Sequence, residues 1–438
     1  MAYRRAVSLF SNCGAGDLGY RDAGFKFDVM AELDPRRLEV CLLNHPGAVG
    51  VPGDLRVTWR LVIDAYREKA GEQRPALVAA CPPCQGLSSA RGERGLFEDA
   101  DAGSKDERNL LVVVIALVAV ALQPSIIVVE NVPAFLTRKV RHPETNEPVS
   151  AANLLISLLE SDYFVFPILT DLADYGVPQA RKRAFLTFLR KDLRPLRRLL
   201  KENRGPYPRP THAPDYGGPG QIRLRDALQQ FHLPSLDAGS EATASSDLAG
   251  GLHSVPVWLD RRYRMVAAIP ANSGASAWEN DQCEQCGPVD VGDDDVMCPV
   301  CGEPLLRPIV EEEGTYRLIK GFHTSSYRRM APDEPASTIT TASGHIGSHN
   351  TIHPFENRVL SPLECAYLQS FPVNFNWGEA LEKWGHTNVR QMIGEAVPPR
   401  FTQLHGVTLS GFLTGFLTSA PISLSDQRCT MAKKKLGL

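Results

Sequence analysis

Four groups of residues in this 438-residue chain have types and spacings that could do chemistry. The first is Cys81-Pro82-Pro83-Cys84, which closes the apolar run Ala76 to Ala80. Two prolines can neither continue a helix nor donate to a sheet ladder, so the chain must leave its strand there. A polar loop follows, and Cys84 at its start is the candidate nucleophile. The same C-x-x-C could be half a metal site or a redox pair. A redox pair normally opens a helix directly, whereas here the prolines fill the gap and Gln85-Gly86 follow. The second group is Glu130, heading Glu130-Asn131-Val132-Pro133 after another apolar run. Its carboxylate could share a substrate with Cys84, or could simply cap a strand end.

The third group is Gly14-Ala15-Gly16-Asp17-Leu18-Gly19, a G-x-G-x-x-G. Alone it suits nicotinamide, flavin and S-adenosylmethionine (SAM) sites alike. Glu32 ends the next apolar run and could take a ribose diol with two oxygens. Asp54, in Pro52-Gly53-Asp54-Leu55, could accept from an adenine amino group. Asp17 would face the phosphates of a dinucleotide, and SAM has none, so the turn favours SAM. The fourth group is Cys283, Cys286, Cys298 and Cys301: two C-x-x-C knuckles, each followed by Gly, with eleven residues between them. That is a zinc ribbon pattern, and four thiolates close a tetrahedral structural site. Asp293 to Asp295 and Glu311 to Glu313 make its surroundings acidic. The ribbon is thus expected to brace a domain rather than to grip phosphates itself.

These groups need a scaffold. Strands are expected over Ala6 to Phe10, Phe27 to Ala31, Ala76 to Ala80, Ser125 to Val129, Phe164 to Leu169 and Ala184 to Leu189. Helices are expected over Leu18 to Ala23, Asn109 to Leu122 and Ala151 to Ser161. This alternation predicts an α/β fold with a doubly wound, mostly parallel sheet over residues 1–190. Residues 191–335 are expected to form a smaller, loop-rich unit carrying the ribbon at 283–301. Within it, 203–256 reads as loops with little core. Residues 336–418 complete that unit and return to the first. They begin with a strand-like segment at 335–341. A helix from Pro362 is capped by Ser361 and Glu364, and another runs from about Arg400 to Leu417. Residues 419–438 read as a disordered tail.

Composition narrows the partners. The net charge is −3, so any nucleic-acid surface must be local. Residues 179–210 offer one, with eleven Lys/Arg against two acids, unless they are simply a solvated basic helix. No apolar run reaches the ~18 residues of a membrane span. Ten scattered cysteines suggest a reducing, cytoplasmic setting.

Taken in order, FSNCGAGDLG, the acid after the second strand, PCQG, ENV, QARKR, RVLSPLECAYLQSFP and GEAVPP resemble the DNA (cytosine-5) methyltransferases from residue 6 to about 417. The resemblance implies a SAM-dependent methyltransferase (Rossmann-like) catalytic domain, with about 190–335 as target-recognition region. It implies that Cys84 attacks carbon 6 of cytosine and makes carbon 5 nucleophilic. Glu130 would hold nitrogen 3 and the exocyclic amine. Arg181 and Arg183 would contact the flipped base and its phosphate. The loop 85–105 would close over the base, with Arg91 and Arg94 on the DNA backbone. Phe10, Gly14, Gly16, Glu32, Asp54, Pro83, Glu395 and Val397 would form the SAM site. Glu395 stands where the family often has Asn. Leu33 stands where some members carry an aromatic, which leaves Phe10 as the ring contact. The expected substrate is double-stranded DNA at a short specific sequence, and the expected form a cytoplasmic monomer of a prokaryote. A cognate restriction endonuclease would be its partner in a restriction–modification pair. The competing readings are a tRNA cytosine-5 methyltransferase, a catalytically silent nucleic-acid binder of the same fold, and a NAD-dependent dehydrogenase. The long variable region with its ribbon favours DNA over tRNA. Intact Cys84, Glu130, Arg181 and Arg183 oppose the silent binder.

Overall fold

The computed structural model describes residues 4–83, 111–322, 325–418 and 420–438. Cys84, the loop 85–105, Arg91 and Arg94 lie outside the described residues. Five apolar segments too short for helices become strands: β1 (Arg4–Leu9), β2 (Phe25–Glu32), β3 (Val49–Pro52), β4 (Leu77–Ala80) and β5 (Ile126–Asn131). LVAA and IIVVEN are buried throughout, without the alternation of a half-exposed strand, because helices cover both faces of the sheet.

Between these strands run α1 (Ala15–Asp22), α2 (Pro35–Asn44), α3 (Leu55–Ala70) and α4 (Leu111–Leu122). After β5 come a hairpin, β6 (Lys139–Arg141) and β7 (Pro148–Ser150), then α5 (Ala151–Leu159), β8 (Tyr163–Asp171) and β9 (Lys182–Arg190). The seven-stranded sheet has the order β3-β2-β1-β4-β5-β9-β8. β3 through β5 are parallel, and β9 is antiparallel to both of its neighbours. The order reverses beside β1, so the carboxyl ends of β1, β2 and β4 open onto one crevice, where open α/β sheets bind ligands.

The antiparallel β9 divides the basic run. Asn131 pairs with Ala184 at one end and Ile126 with Leu189 at the other. Lys182 and Arg183 therefore stand at the carboxyl edge of β5, and Arg190 at the opposite edge. Residues 179–210 do not form the single basic surface expected of them. Residues after 191 also stay with the sheet longer than expected. In α6 (Leu196–Lys201) and β10 (Arg204–Pro208), Leu196, Leu199 and Tyr207 join the core on one sheet face.

Beyond lies α7 (Leu224–Phe231), which shares a third core with α9 (Pro362–Leu368) and α10 (Ala380–Glu395, broken at Gly385). Ser361 caps α9, and the expected capping box is present. The segment 335–341 makes a single bridge, Ala336 to Gln179, rather than a strand. Residues 203–256 carry more core than expected. Leu236, Ala238, Ala244 and Val255 pack with α8 (Asp260–Ala267), Ile346, Ile352 and Val359. At this unit's centre the buried Arg329 donates to the carbonyls of Val266, Ile269, His353 and Glu356 and to Asn357 Oδ1. The ribbon adds β11 (Gln282–Cys283) and β12 (Gly287–Pro288), followed by the hairpin β13 (Ile309–Glu312) and β14 (Thr315–Leu318).

The chain then returns to the sheet. α11 (Pro399–Thr414) lies along α1, β15 (Pro421–Ser423) pairs with β10, and α12 (Gln427–Leu436) packs on β8. The expected disordered tail is thus folded: Cys429, Ala432 and Leu436 are buried, spaced as one helix face requires.

Gly19 shows how close α1 and α11 approach. A Cβ there would stand 2.2 Å from Pro399 O and 2.2 Å from Thr402 Oγ1. Gly19→Ala is expected to cost about 3 kcal/mol, because backbone must move. Urea denaturation of the two proteins measures it.

Candidate active site

Past β1 the chain turns sharply. Phe10, Asn12 and Gly14 all have positive φ, at 59°, 49° and 74°. Gly14 starts α1, and a Cβ there would meet Cys41 Sγ and the His45 ring at 2.8 Å. Burial pushes the His45 pKa down to about 4, so the ring is neutral and its Nε2–H donates to Gly14 O at 2.8 Å. Gly16 faces Val397, whose Cβ would lie 3.0 Å from an added one. Thr402 Oγ1 donates to Gly16 O at 2.6 Å. The third glycine of the motif serves helix packing, as Gly19 shows, and Cys41, His45 and Val397 close against the first two, so that the turn forms a tight glycine cradle at the end of β1.

Glu32 ends β2 with both oxygens held. Oε2 accepts from Asn12 N at 2.8 Å and Oε1 from Asp34 N at 3.1 Å. Burial raises its pKa, against these bonds and the nearby Arg37. Asn12 Nδ2 donates to Met392 O at 2.8 Å, fixing the end of α10 beside the turn. There Glu395 pairs with Arg37. Gly53 N donates to Glu32 O at 3.0 Å, which sets Asp54 next to this group. Asp54 caps α3 through Arg56 N, and its carboxylate pairs with the Arg56 guanidinium. Gly14, Gly16, Glu32, Glu395 and Val397 thus gather at one end of the sheet, with Asp54 at the margin and Leu33 exposed beside it.

Asp17 does not face the crevice as expected. It is buried on α1 and accepts from Ser8 Oγ of β1 at 2.8 Å. It therefore says nothing about phosphates. Burial pushes its pKa up to about 7. Between its unfolded value, near 4, and about 7 the folded form holds a proton that the unfolded form has lost. Stability should therefore fall as pH rises through this window. Asp17→Asn removes the slope. It is expected to be more stable than wild type by about 4 kcal/mol at pH 8 and nearly equal to it at pH 4, read from melting at the two pH values.

Across the crevice, β4 and β5 run in register, Ala80 beside Val129. The next residues, Cys81 and Glu130, are therefore neighbours. Cys81 Sγ–H donates to Glu130 Oε2 at 2.8 Å, and Arg183 Nε bonds Oε1 at 2.9 Å. Asn131 Nδ2 donates to Pro82 O at 2.9 Å, tying down the turn that Pro83 ends. The two arginines expected together at the base part here. Arg183 turns to Glu130, while the buried Arg181 donates to the carbonyls of Ile339, Gly394 and Ala396 at 3.1, 2.9 and 3.0 Å. Cys81 and Arg37 were missed from the sequence. Only Cys81 had a visible signal, its place at the end of a strand flanking that of Glu130.

The thiols of Cys283, Cys286, Cys298 and Cys301 lie within 4.8 Å of one another, with Cys283 and Cys301 Sγ 3.5 Å apart. All four are free thiols. Their spacing suits four sulfurs about 2.3 Å from one Zn²⁺. Arg307 Nη1 gathers the carbonyls of Gly292, Asp293 and Asp295, and Arg264 reaches Glu284 at 2.7 Å to join the ribbon to α8. Among the described residues no helix is long and apolar enough to cross a membrane.

The profile of the C-5 cytosine-specific DNA methylase family matches residues 4–252 and 260–406. The type II methyltransferase M1.HgaI of Avibacterium volantium is 28% identical over 403 residues, 90% of this chain and 94% of that protein. M.DdeI of Desulfomicrobium norvegicum is 26% identical over 413 residues, 91% and 86% of the two chains. Among solved structures, DNMT2 of Spodoptera frugiperda superposes with a TM-score of 0.52 at 13% identity, over 93% of this chain and 100% of that one. This likeness bears on the fold.

Proposed function

The chain belongs to the C-5 cytosine-specific DNA methylase family and is a DNA (cytosine-5-)-methyltransferase, and from that premise we propose how its residues carry the reaction. The observation that carries the proposal is Glu130, clasped between Arg183 and Cys81 one turn from Pro83 and across the crevice from the glycine cradle. Cys84, next after Pro83, is the nucleophile. Its thiolate adds to carbon 6 of cytosine and makes carbon 5 nucleophilic. Glu130 holds nitrogen 3 and the exocyclic amine, so that charge does not build up on the ring. Arg183 aims that carboxylate. Arg181 braces the segment around Gly394 and Ala396 instead of touching the base. Loss of the carbon 5 proton from the methylated adduct expels Cys84. The cytosine must leave the helix to reach these groups.

The cradle fits SAM. The Glu32 carboxylate, held by two N–H groups, is set to accept a ribose diol. When bound, SAM supplies an electrophilic methyl group. Phe10 would cover adenine, and Pro83, Asp54, Glu395 and Val397 would complete the site. The four thiols fit a structural Zn²⁺, which would brace the recognition unit of residues 209–335 and part of 336–360. The substrate is then duplex DNA at a short sequence, and the context a restriction–modification pair with a cognate endonuclease, as the names of the type II relatives suggest. The enzyme would act as a monomer in the cytoplasm.

Bisulfite sequencing of mixed-sequence duplex DNA after incubation with SAM tests this. Protected cytosines in one short motif, absent with Cys84→Ala, are the expected result. No protection by a protein that binds SAM would overturn the duplex-DNA reading and turn attention to tRNA.

A further inference from the structure

We infer that Arg37 is a cofactor-positioning residue, the guanidinium that lets two carboxylates, Glu32 and Glu395, stand at one SAM site. The inference rests on the SAM reading of the cradle and asks what this chain has added to it.

Two charges here sit at the wrong ends of their helices. Arg37 lies in the first turn of α2, where the helix dipole disfavours a cation, and Glu395 is the last residue of α10, where it disfavours an anion. Neither placement helps its own helix, yet the two side chains pair across the crevice. The Arg37 side chain is 17% exposed and that of Glu395 32%, so the pair is partly shielded from water. Its Nε also lies 4.0 Å from Asp34 Oδ2. The charged groups around Glu32 are therefore Arg37 from α2, Asp34 from the α2 cap, and Glu395 from the end of α10; Arg36 is spent on Asp34 at the surface. Glu395 and Asp34 thus lie within 4.0 Å of the half-buried Arg37, and Glu32 feels its charge from nearby.

Without Arg37 the two crevice carboxylates would repel each other. Glu32 would be driven toward its protonated form, since burial already raises its pKa and Glu395 raises it further. A protonated Glu32 is a poorer acceptor for a ribose diol. Glu395 would also lose its one tie to α2, leaving the end of α10 held by Asn12 and Arg181.

The test is calorimetric binding of SAM to the full chain, with steady-state methylation of duplex DNA beside it. Arg37→Met is expected to raise the SAM dissociation constant about tenfold or more, with the loss in KM for SAM rather than in kcat. The double variant Arg37→Met/Glu395→Gln removes the excess charge and is expected to recover most of that affinity, which simple loss of packing would not do. Arg37→Lys keeps the charge and should bind SAM within about threefold of wild type. Unchanged affinity in Arg37→Met, a double variant no better than the single, or Arg37→Lys as weak as Arg37→Met would each overturn the inference. Should Arg37→Met fail to fold, the Arg37→Lys result decides. Wild type that binds no SAM would instead overturn the reading on which the inference rests.

Discussion

Glu130→Gln is expected to lower methyl transfer to duplex DNA by about 10³-fold, the range of a lost general acid–base group. The substitution is nearly isosteric, so the crevice keeps its shape, but the chemistry changes at both oxygens. Today Oε1 accepts from Arg183 Nε and Oε2 from Cys81 Sγ–H. A glutamine has one acceptor, so one of those donors meets an NH₂ group instead. The Arg183 side chain, only 13% exposed, also loses its counter-charge, which is costly for a buried cation. An amide can still hydrogen-bond cytosine, so the base should bind. It cannot exchange a proton with nitrogen 3, so the adduct with Cys84 should form slowly. Single-turnover incorporation of labelled methyl groups measures the loss, and SAM affinity should stay within about twofold because the cradle is built from other strands. A variant that methylates at more than about a tenth of the wild-type rate would remove Glu130 from the chemistry.

The second large effect concerns the ribbon. Its own core is small: Cys283, Cys298 and Leu305, with Val289 and Val291 against them. So few apolar residues cannot stabilise a fold, and structural zinc in such modules supplies roughly 10 kcal/mol. Cys298→Ser removes one of the four thiols proposed to hold the ion. The expected result is loss of one zinc per chain by atomic absorption and a fall in DNA affinity of about a hundredfold. The route is direct: without the ribbon, Arg307 has no carbonyl nest to hold and Glu284 no longer anchors Arg264 of α8. SAM binding should persist, since the cradle belongs to the sheet and to α10. A zinc-free variant with full DNA affinity would make the ribbon dispensable to recognition.

Much of this was legible in the sequence for definite reasons. Continuous apolar runs revealed β1, β2, β4 and β5 because a doubly covered sheet allows no polar face. Ser361 and Glu364 revealed the start of α9 because a capping box is local. The two cysteine knuckles were legible for the same reason. What depended on distant partners was not. Arg37 and Glu395 are 358 residues apart and carry no local mark. The parting of Arg181 from Arg183 depends on where the carboxyl-terminal segment comes to rest. Asp17 was placed toward the crevice because its position in the motif was read without the rotation of α1. The charge of QRCTMAKKKL hid a helix whose buried face is only Cys429, Ala432 and Leu436.

That last helix has a consequence for how the enzyme is made. Ala432 and Leu436 join the core on one side of the sheet and Cys429 the core on the other, so α12 spans the outer edge at β8. α11 likewise lies on α1, near the opposite end of the chain. Chains grow from the amino terminus at about 5–20 residues per second, so the sheet strands emerge tens of seconds before the helices that seal them. Until residues near 436 clear the ribosome, β8 is an uncovered edge and α1 lacks its partner, a state open to chaperones and to aggregation. A chain lacking α11 and α12 would thus leave both α1 and the β8 edge of the sheet without the helices that cover them.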